Sequence, residues 1–198
     1  MEFEGVLLLI GVAAFIAGFV DAVVGGGGLV QIPALFTAFP AASPATVFGT
    51  NKIASIVGTS SAAIQYARRV SIPWRLAAPG ALCALLGAWF GARAVVWMPV
   101  EYMRPLVLVL LVLVAIYTFA RKDFGTGASS TRQSSRDVAV VCGIALAVGF
   151  YDGFFGPGTG SFFIFLLVRF VALDFLHASA AAKVLNVATN FAALSFFV

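Results

Sequence analysis

Between Gly5 and Thr59 the chain carries only two charged residues, Asp21 and Lys52. Over the whole sequence, 62% of residues are hydrophobic and 10% are charged, whereas an average protein has about 25% charged residues. A soluble domain of 198 residues could not cover its surface with so few polar groups. The apolar runs are long and lack the alternation of barrel strands. The sequence therefore predicts an all-α, polytopic membrane protein with a single membrane domain over residues 1–198.

A glycine run interrupts the first apolar stretch. It consists of Gly25, Gly26, Gly27 and Gly28. Because each glycine inside a helix costs about 1 kcal/mol relative to alanine, we expect a helix over residues 5–24 and a break after it. A short apolar segment (29–40) and a long helix (45–67) follow. In hydrocarbon, a broken helix is tolerated only where its backbone lines a cavity or is buried in protein.

The same pattern returns 131 residues later without a gap. Asp152 matches Asp21 and Lys183 matches Lys52, while Gly156 and Gly158 match Gly25 and Gly27. We interpret this as an internal duplication. Repeat one covers about residues 1–120, a hydrophilic cytoplasmic linker covers 121–137, and a partial repeat two covers 138–198.

Repeat two has no counterpart of residues 68–120, which would form two further helices. Three explanations stay open: a fragment, a truncated gene product, or a fold completed by another segment or partner chain. A homo-oligomer is a further candidate assembly.

Basic residues set the expected orientation. Arg68, Arg69 and Arg75 form one basic loop, and the linker forms another, so both are placed in the cytoplasm. These arginines supply most of the net charge of +4, which is therefore no sign of nucleic-acid binding. If the segment 29–40 crosses the membrane, the two copies are inverted; if it is re-entrant, they are parallel. Glu2 and Glu4 weakly favour an N-terminus outside the cytoplasm, and an outside N-terminus implies inverted copies.

Sixteen of the twenty charged residues fall at the N-terminus, in loops or at span ends, and the remaining four are Asp21, Lys52, Asp152 and Lys183. A charge at the bilayer centre costs about 3 kcal/mol, so their presence indicates a use. The alternatives are purely structural Asp–Lys bridges and side chains that reach the interface from a helix end.

Polar residues follow these lysines at helical spacing. Lys183, Asn186 and Asn190 share one helix face, and Asn51, Ser55 and Thr59 recur every four residues. Such a stripe suits a pore or binding site, although hydrogen bonding between helices would produce it too. Half-helix N-termini bind anions in duplicated transporters. Two glycine breaks near two lysines therefore favour a small oxyanion as substrate.

The motifs GFVDAVVGGGG and GTNK in the first half, with GFYDGFFGPGTG and AAAKVLNVATN in the second, together resemble the TauE/SafE sulfite exporter family. The resemblance implies a secondary transporter that exports sulfite or an organosulfonate across the bacterial inner membrane. It assigns Asp21, the glycine run, Asn51 and Lys52 to the first motif. It assigns Asp152, Gly156, Gly158, Gly160, Lys183 and Asn190 to the second.

The resulting hypothesis places substrate binding at Lys52, Lys183, Asn51, Asn186, Asn190, Thr59, Gly25, Gly26, Gly27, Gly28, Gly156, Gly158 and Gly160. Asp21 and Asp152 either orient the lysines or carry coupling protons. The expected partners are the lipid bilayer, a small inorganic or organosulfur anion, and protons; no cofactor or metal is expected. Because HExxH and GxSxG are absent, we do not expect an enzyme. The alternative is a non-transporting assembly or regulatory membrane protein, or an inactive truncated relic.

Overall fold

The computed structural model describes residues 3–24, 26–97, 100–120 and 134–197. These residues form eight α-helices and no strand, which confirms the predicted all-α fold. In chain order the helices are α1 (Phe3–Val24), α2 (Gly28–Ala38), α3 (Pro44–Arg69), α4 (Trp74–Trp97), α5 (Val100–Ala120), α6 (Ser135–Phe154), α7 (Thr159–Val171) and α8 (Phe175–Phe197).

Four of these helices are long and apolar enough to cross a membrane, namely α1, α4, α6 and α8. This confirms the prediction of a polytopic membrane protein. Helices α2 and α7 contain only 11 and 13 residues. At about 1.5 Å per residue they reach about 17 and 20 Å, little more than half of the hydrocarbon core.

The helix ends depart from the sequence prediction in two places. Gly28 was predicted to lie in the break, but it is the first residue of α2. The linker was predicted to extend to residue 137, but α6 begins at Ser135. A capping box explains the earlier start: the Ser134 N–H donates to Asp137 Oδ2 (2.7 Å), and the Ser134 hydroxyl accepts from the Arg136 N–H (3.0 Å). Gly25 and residues 121–133 lie outside the described residues.

Helices α3 and α8 run antiparallel. Near one end Gly49 faces Phe197, in the middle Lys52 bonds Asn190, and near the other end Ser71 bonds His177. Helices α2 and α7 begin 131 residues apart, as do α3 and α8. Opposite directions at this offset are what inverted repeats require, so the inverted topology is favoured over the parallel one. The duplication itself stays a prediction.

Helices α4 and α6 pack backbone against backbone. Gly87 and Gly91 on α4 face α6, and Gly149 and Gly153 on α6 face α4. A Cβ added at any of the four would overlap a backbone carbonyl of the opposite helix. The GxxxG spacing of Gly87 and Gly91 therefore has a matching partner on α6, as in close helix contacts in membranes.

A group of hydrogen bonds joins the α3–α4 loop to the start of α8. Asp174 Oδ1 accepts from the backbone N–H groups of Leu176 and His177, both at 3.1 Å. The His177 ring lies between Asp174 Oδ2 (2.6 Å from Nδ1) and Ser71 Oγ (3.1 Å from Nε2). Burial raises the pKa of the Asp174 carboxyl, but the hydrogen bonds from His177 and Leu176 outweigh this effect and lower the pKa.

The contact between α4 and α6 predicts a position-specific effect of alanine. Gly153→Ala places a methyl group on the Ala88 carbonyl, so we expect a loss of about 1–3 kcal/mol in unfolding free energy. Gly143→Ala on the exposed side of α6 meets no atom within 4 Å, so stability stays equal or rises by up to about 1 kcal/mol. Thermal unfolding in detergent, followed by circular dichroism, measures both. Equal stabilities of the two variants would contradict the tight contact.

Candidate functional site

The two helix breaks meet inside the bundle. Helices α2 and α7 both begin there, and a Cβ at Gly28 would lie 3.3 Å from Pro157 Cα. The turn before α7 needs glycine, because φ is +99° at Gly156 and +81° at Gly158. The Tyr151 hydroxyl donates to the Pro157 carbonyl at 2.6 Å and holds this turn in place.

Lys52 is almost fully buried beside this turn, with 2% of its surface exposed. Its Nζ lies 2.8 Å from Asp152 Oδ2 and donates to Asn190 Oδ1 at 3.1 Å. The lysine of the first predicted repeat thus pairs with the aspartate of the second. Because an unpaired buried charge is costly, this pair holds α3 against α6.

Lys183 makes the reciprocal contact with Asp21, but it contacts the backbone of Asp21 and not its carboxylate. Its Nζ donates to the carbonyl oxygen of Asp21 at 2.7 Å. The Asp21 carboxylate is turned the other way and accepts from the Gly27 N–H at 3.3 Å, at the start of α2. The two Asp–Lys pairs therefore differ: Lys52 contacts a carboxylate, whereas Lys183 contacts a carbonyl.

A chain of amides and hydroxyls crosses the middle of the bundle. Asn190 Nδ2 donates to Thr59 Oγ1 (3.2 Å) and to Asn186 Oδ1 (3.1 Å). Thr59 and Asn190 are 131 residues apart, so the positions that the predicted duplication makes equivalent touch each other. A pair of this kind lies where the two halves meet.

A small cavity of about 20 Å³ lies between these groups, with room for about one water molecule. Two side chains in its wall, Asn51 and Asp152, each have a buried oxygen (Oδ1 and Oδ2) without a hydrogen-bond partner among the described residues. The Lys52 ammonium, 2.8 Å from Asp152 Oδ2, is the charged partner of that oxygen, so of the two oxygens the Asn51 one is left without a polar contact in the described part of the chain. A second cavity of about 110 Å³, between α1, α2 and α3, shares Asp21 and Ser55 with the first.

The structure brings most of the predicted site residues to the small cavity, which is lined by Asp21, Gly28, Asn51, Lys52, Ser55, Thr59, Asp152, Gly156, Asn186 and Asn190. The other predicted residues that the structure describes, all except Gly25, lie around it. Gly27 lines the larger cavity, Gly26 precedes α2, and Lys183 lies beside Asp21. Gly158 faces Val114 of α5, and Gly160 is buried in the first turn of α7.

One site residue was missed by the sequence analysis. Thr159 is buried, and its hydroxyl contacts Asp152 Oδ1 at 2.7 Å. It occupies the position that corresponds to Gly28 in the predicted duplication, so comparison of the two halves pointed to a glycine rather than a hydroxyl. The only signal was a threonine at the start of a helix, seven residues after a buried aspartate.

The four charged side chains of the site cancel, which leaves the partial positive charges of two helix N-termini. Two aspartates and two lysines sum to zero, and the N-termini of α2 and α7 each add about half a positive charge. The Asp21 carboxylate lies at the start of α2, and Asp152 reaches the start of α7 through Thr159. The aspartates therefore hold the positions that an incoming anion would favour. Within the described part of the chain, no cluster of three His, Cys, Asp or Glu residues could hold a metal ion.

The buried pair predicts strong coupling between Lys52 and Asp152. Lys52→Met removes the ammonium and leaves a buried carboxylate, so we expect a loss of about 3–5 kcal/mol in unfolding free energy at neutral pH. Adding Asp152→Asn removes the stranded charge and restores most of that loss. Denaturant unfolding of the single and double variants measures the coupling. Additive losses would show that the two side chains do not stabilise each other.

Comparison with known proteins finds a matching family and several similar proteins. The family model described as sulfite exporter TauE/SafE matches residues 10–198. A probable membrane transporter protein, ORF9, of Sinorhizobium sp. is 38% identical over 188 residues, which are 94% of this chain and 70% of that protein. The probable membrane transporter protein YfcA of Escherichia coli K12 is 34% identical over 194 residues, 96% of this chain and 71% of that protein.

A probable membrane transporter protein of Haemophilus influenzae is 32% identical over 184 residues, 92% of this chain and 70% of that protein. No solved structure matches the chain significantly. The relatives are bacterial, which agrees with the predicted inner-membrane location. With the family matched over nearly the whole length and relatives above 30% identity, the chain belongs to the sulfite exporter TauE/SafE family.

Proposed function

We propose that this protein is a secondary transporter that exports a small sulfur oxyanion, sulfite or an organosulfonate, across the bacterial inner membrane. The observation that carries the proposal is the presence of two buried lysines in the middle of the bundle: Lys52 lines the central cavity, and Lys183 donates to the backbone carbonyl of Asp21, another lining residue. Ammonium groups and helix N-termini are the donors that small oxyanions favour. The description of the family supplies the sulfur anion as the first candidate.

The two lysines approach the centre from opposite sides of the membrane. Each is the ninth residue of its helix, Lys52 in α3 and Lys183 in α8, or about 12 Å from the helix start. Because α3 and α8 are antiparallel, an anion that passes between them meets one lysine after the other. Asn186, Asn190 and Thr59 line the central cavity together with Lys52 and offer neutral donors and acceptors.

The route begins at the larger cavity. That cavity borders Asp21 and Gly27, and Lys183 is bonded to the backbone of Asp21. The central cavity holds only about one water molecule, so the structure corresponds to a closed arrangement. For an anion to enter the centre, the helices that start at the two breaks have to separate. The turn at Gly156 and Gly158 is the natural hinge.

Flux through proteoliposomes that contain the purified chain tests this function. Sulfite is loaded inside under an imposed pH gradient, and its exit is measured for the unmodified protein, Lys52→Ala and Lys183→Ala. We expect each lysine variant to lower flux about tenfold or more, since a hydrogen bond to a charged group contributes about 1.5–3 kcal/mol. Arg75→Ala, which removes an exposed charge at the start of α4, should leave flux unchanged.

The substrate and the site are tested separately in the same assay. Flux of an organosulfonate but not of sulfite would select the former as substrate. Normal flux in correctly inserted Lys52→Ala and Lys183→Ala would overturn the anion site. Absence of flux for both anion classes would favour the alternative of a non-transporting membrane protein.

A further inference from the structure

The larger cavity lies in a groove between α1 and α3. Four small residues form the walls of this groove, Ala14 and Gly18 on α1 and Ala54 and Gly58 on α3, and all four are exposed. A Cβ added at Gly18 or Gly58 would meet no described atom within 4 Å. Within the described part of the chain, this surface, which we call the α1–α3 groove, is therefore not covered by another helix.

The corresponding surface in the second half of the chain is buried. At the 131-residue offset of the predicted duplication, the four groove residues correspond to Ala145 and Gly149 of α6 and to Leu185 and Thr189 of α8. Ala145, Leu185 and Thr189 are each 0% exposed, and Gly149 is buried as well. The two halves therefore differ in whether this surface is covered.

Helix α4 covers the surface in the second half. A Cβ at Gly149 would overlap the Ala84 carbonyl, and a Cβ at Gly80 would lie 3.5 Å from Leu185 Cδ1. Helix α4 thus lies in the groove between α6 and α8 and contacts both helices. Its contact face consists of glycine and alanine, which is how helices associate in lipid, where close backbone packing replaces the hydrophobic effect.

Lipid is a poor occupant of the α1–α3 groove. The polar side chains of Asp21, Gln31 and Ser55 line the same cavity. Asp21 is only half-buried, whereas its counterpart Asp152 is 2% exposed. A carboxylate that faces hydrocarbon is costly, and ionisable groups in a membrane normally face protein or water. A protein helix over the groove shields these polar groups from lipid chains.

We propose that the α1–α3 groove binds a partner transmembrane helix of the same chemistry as α4, additional to the eight described helices. The partner helix has small residues at four-residue spacing where it crosses Gly18, as Gly87 and Gly91 provide in α4. Toward α3 it has larger apolar side chains, because Ala54 and Gly58 leave open the space that a leucine and a threonine fill in the second half.

Similar proteins have chain in which such a helix can lie. The region shared with this chain is 70% of ORF9 and 71% of YfcA, so both relatives have further residues outside it. The inference goes beyond the proposed function and does not depend on the substrate. A helix bound in the α1–α3 groove forms the outer wall of the larger cavity and separates the proposed route from lipid.

Energy transfer in lipid vesicles without substrate tests the α1–α3 groove. The full 198-residue chain carries a donor dye, and the probe is a synthetic peptide with the sequence of α4, Trp74–Trp97, with an acceptor dye. We expect saturable binding of the peptide. Gly18→Leu fills the groove at a position that is open in the chain alone. It should weaken binding about tenfold or more, because overpacking a close contact is unfavourable.

Gly143→Leu is the matched control, because Gly143 is also an exposed glycine of a membrane helix and a Cβ there also meets no described atom within 4 Å. Peptide binding should be unchanged in this variant. A peptide with Gly87→Leu and Gly91→Leu keeps its length and apolar character but loses its small-residue face. It should bind about tenfold more weakly or less.

Absence of saturable peptide binding would overturn the proposal. Binding that Gly18→Leu leaves unchanged, or that both leucine variants of the chain weaken equally, would overturn it too. Energy transfer between two differently labelled copies of the chain, abolished by Gly18→Leu, would assign the groove to a second copy instead of a partner helix. Since no substrate is present, failure of sulfite flux leaves these outcomes unaffected.

Discussion

The contact between Lys52 and Asp152 is the interaction on which the rest of the site depends. In hydrocarbon neither charge is stable alone, and each is supplied by a different half of the chain: Lys52 by α3 and Asp152 by the end of α6. The pair fixes the turn of Gly156 and Gly158 beside α3, and that turn sets where α7 begins. The break in the second half, costly in a membrane by itself, is therefore buried against protein.

Two kinds of packing surround this pair. Helices α4 and α6 touch through glycine and alanine, and their backbones approach too closely for any larger residue. The short helices α2 and α7 instead start at turns in the interior, where hydrogen bonds to side chains replace helical ones. Close small-residue packing gives a rigid frame, whereas a helix that ends at glycines can change direction at small cost. Any rearrangement of the site is thus expected at the breaks and not at the contact between α4 and α6.

The membrane class, the helix breaks and the location of the site were accessible from the sequence, because they depend on local patterns. Apolar run length gave the membrane class, the glycines gave the breaks, and the four intramembrane charges located the site. The crossing of the pairs was not accessible: Lys52 is 100 residues from Asp152, and only the tertiary arrangement that brings the end of α6 beside Lys52 decides which aspartate it meets. Thr159 was missed because its importance comes from the bend that returns it to Asp152. The Ser134–Asp137 cap, by contrast, is a local signal that could have been found.

The hydrogen bonds at the centre run in one direction. The Lys52 ammonium can only donate, so it orients the Asn190 amide with its oxygen toward Lys52 and its nitrogen toward Thr59. The Thr59 hydroxyl accepts from this nitrogen and donates its own hydrogen bond to the carbonyl of Ser55. Reversal of the amide would turn an NH₂ group toward an ammonium. The charge of Lys52 therefore fixes the orientation of the Asn190 amide on α8 and, through it, of the Thr59 hydroxyl one to two turns further along α3, so the contact between α3 and α8 has a polarity.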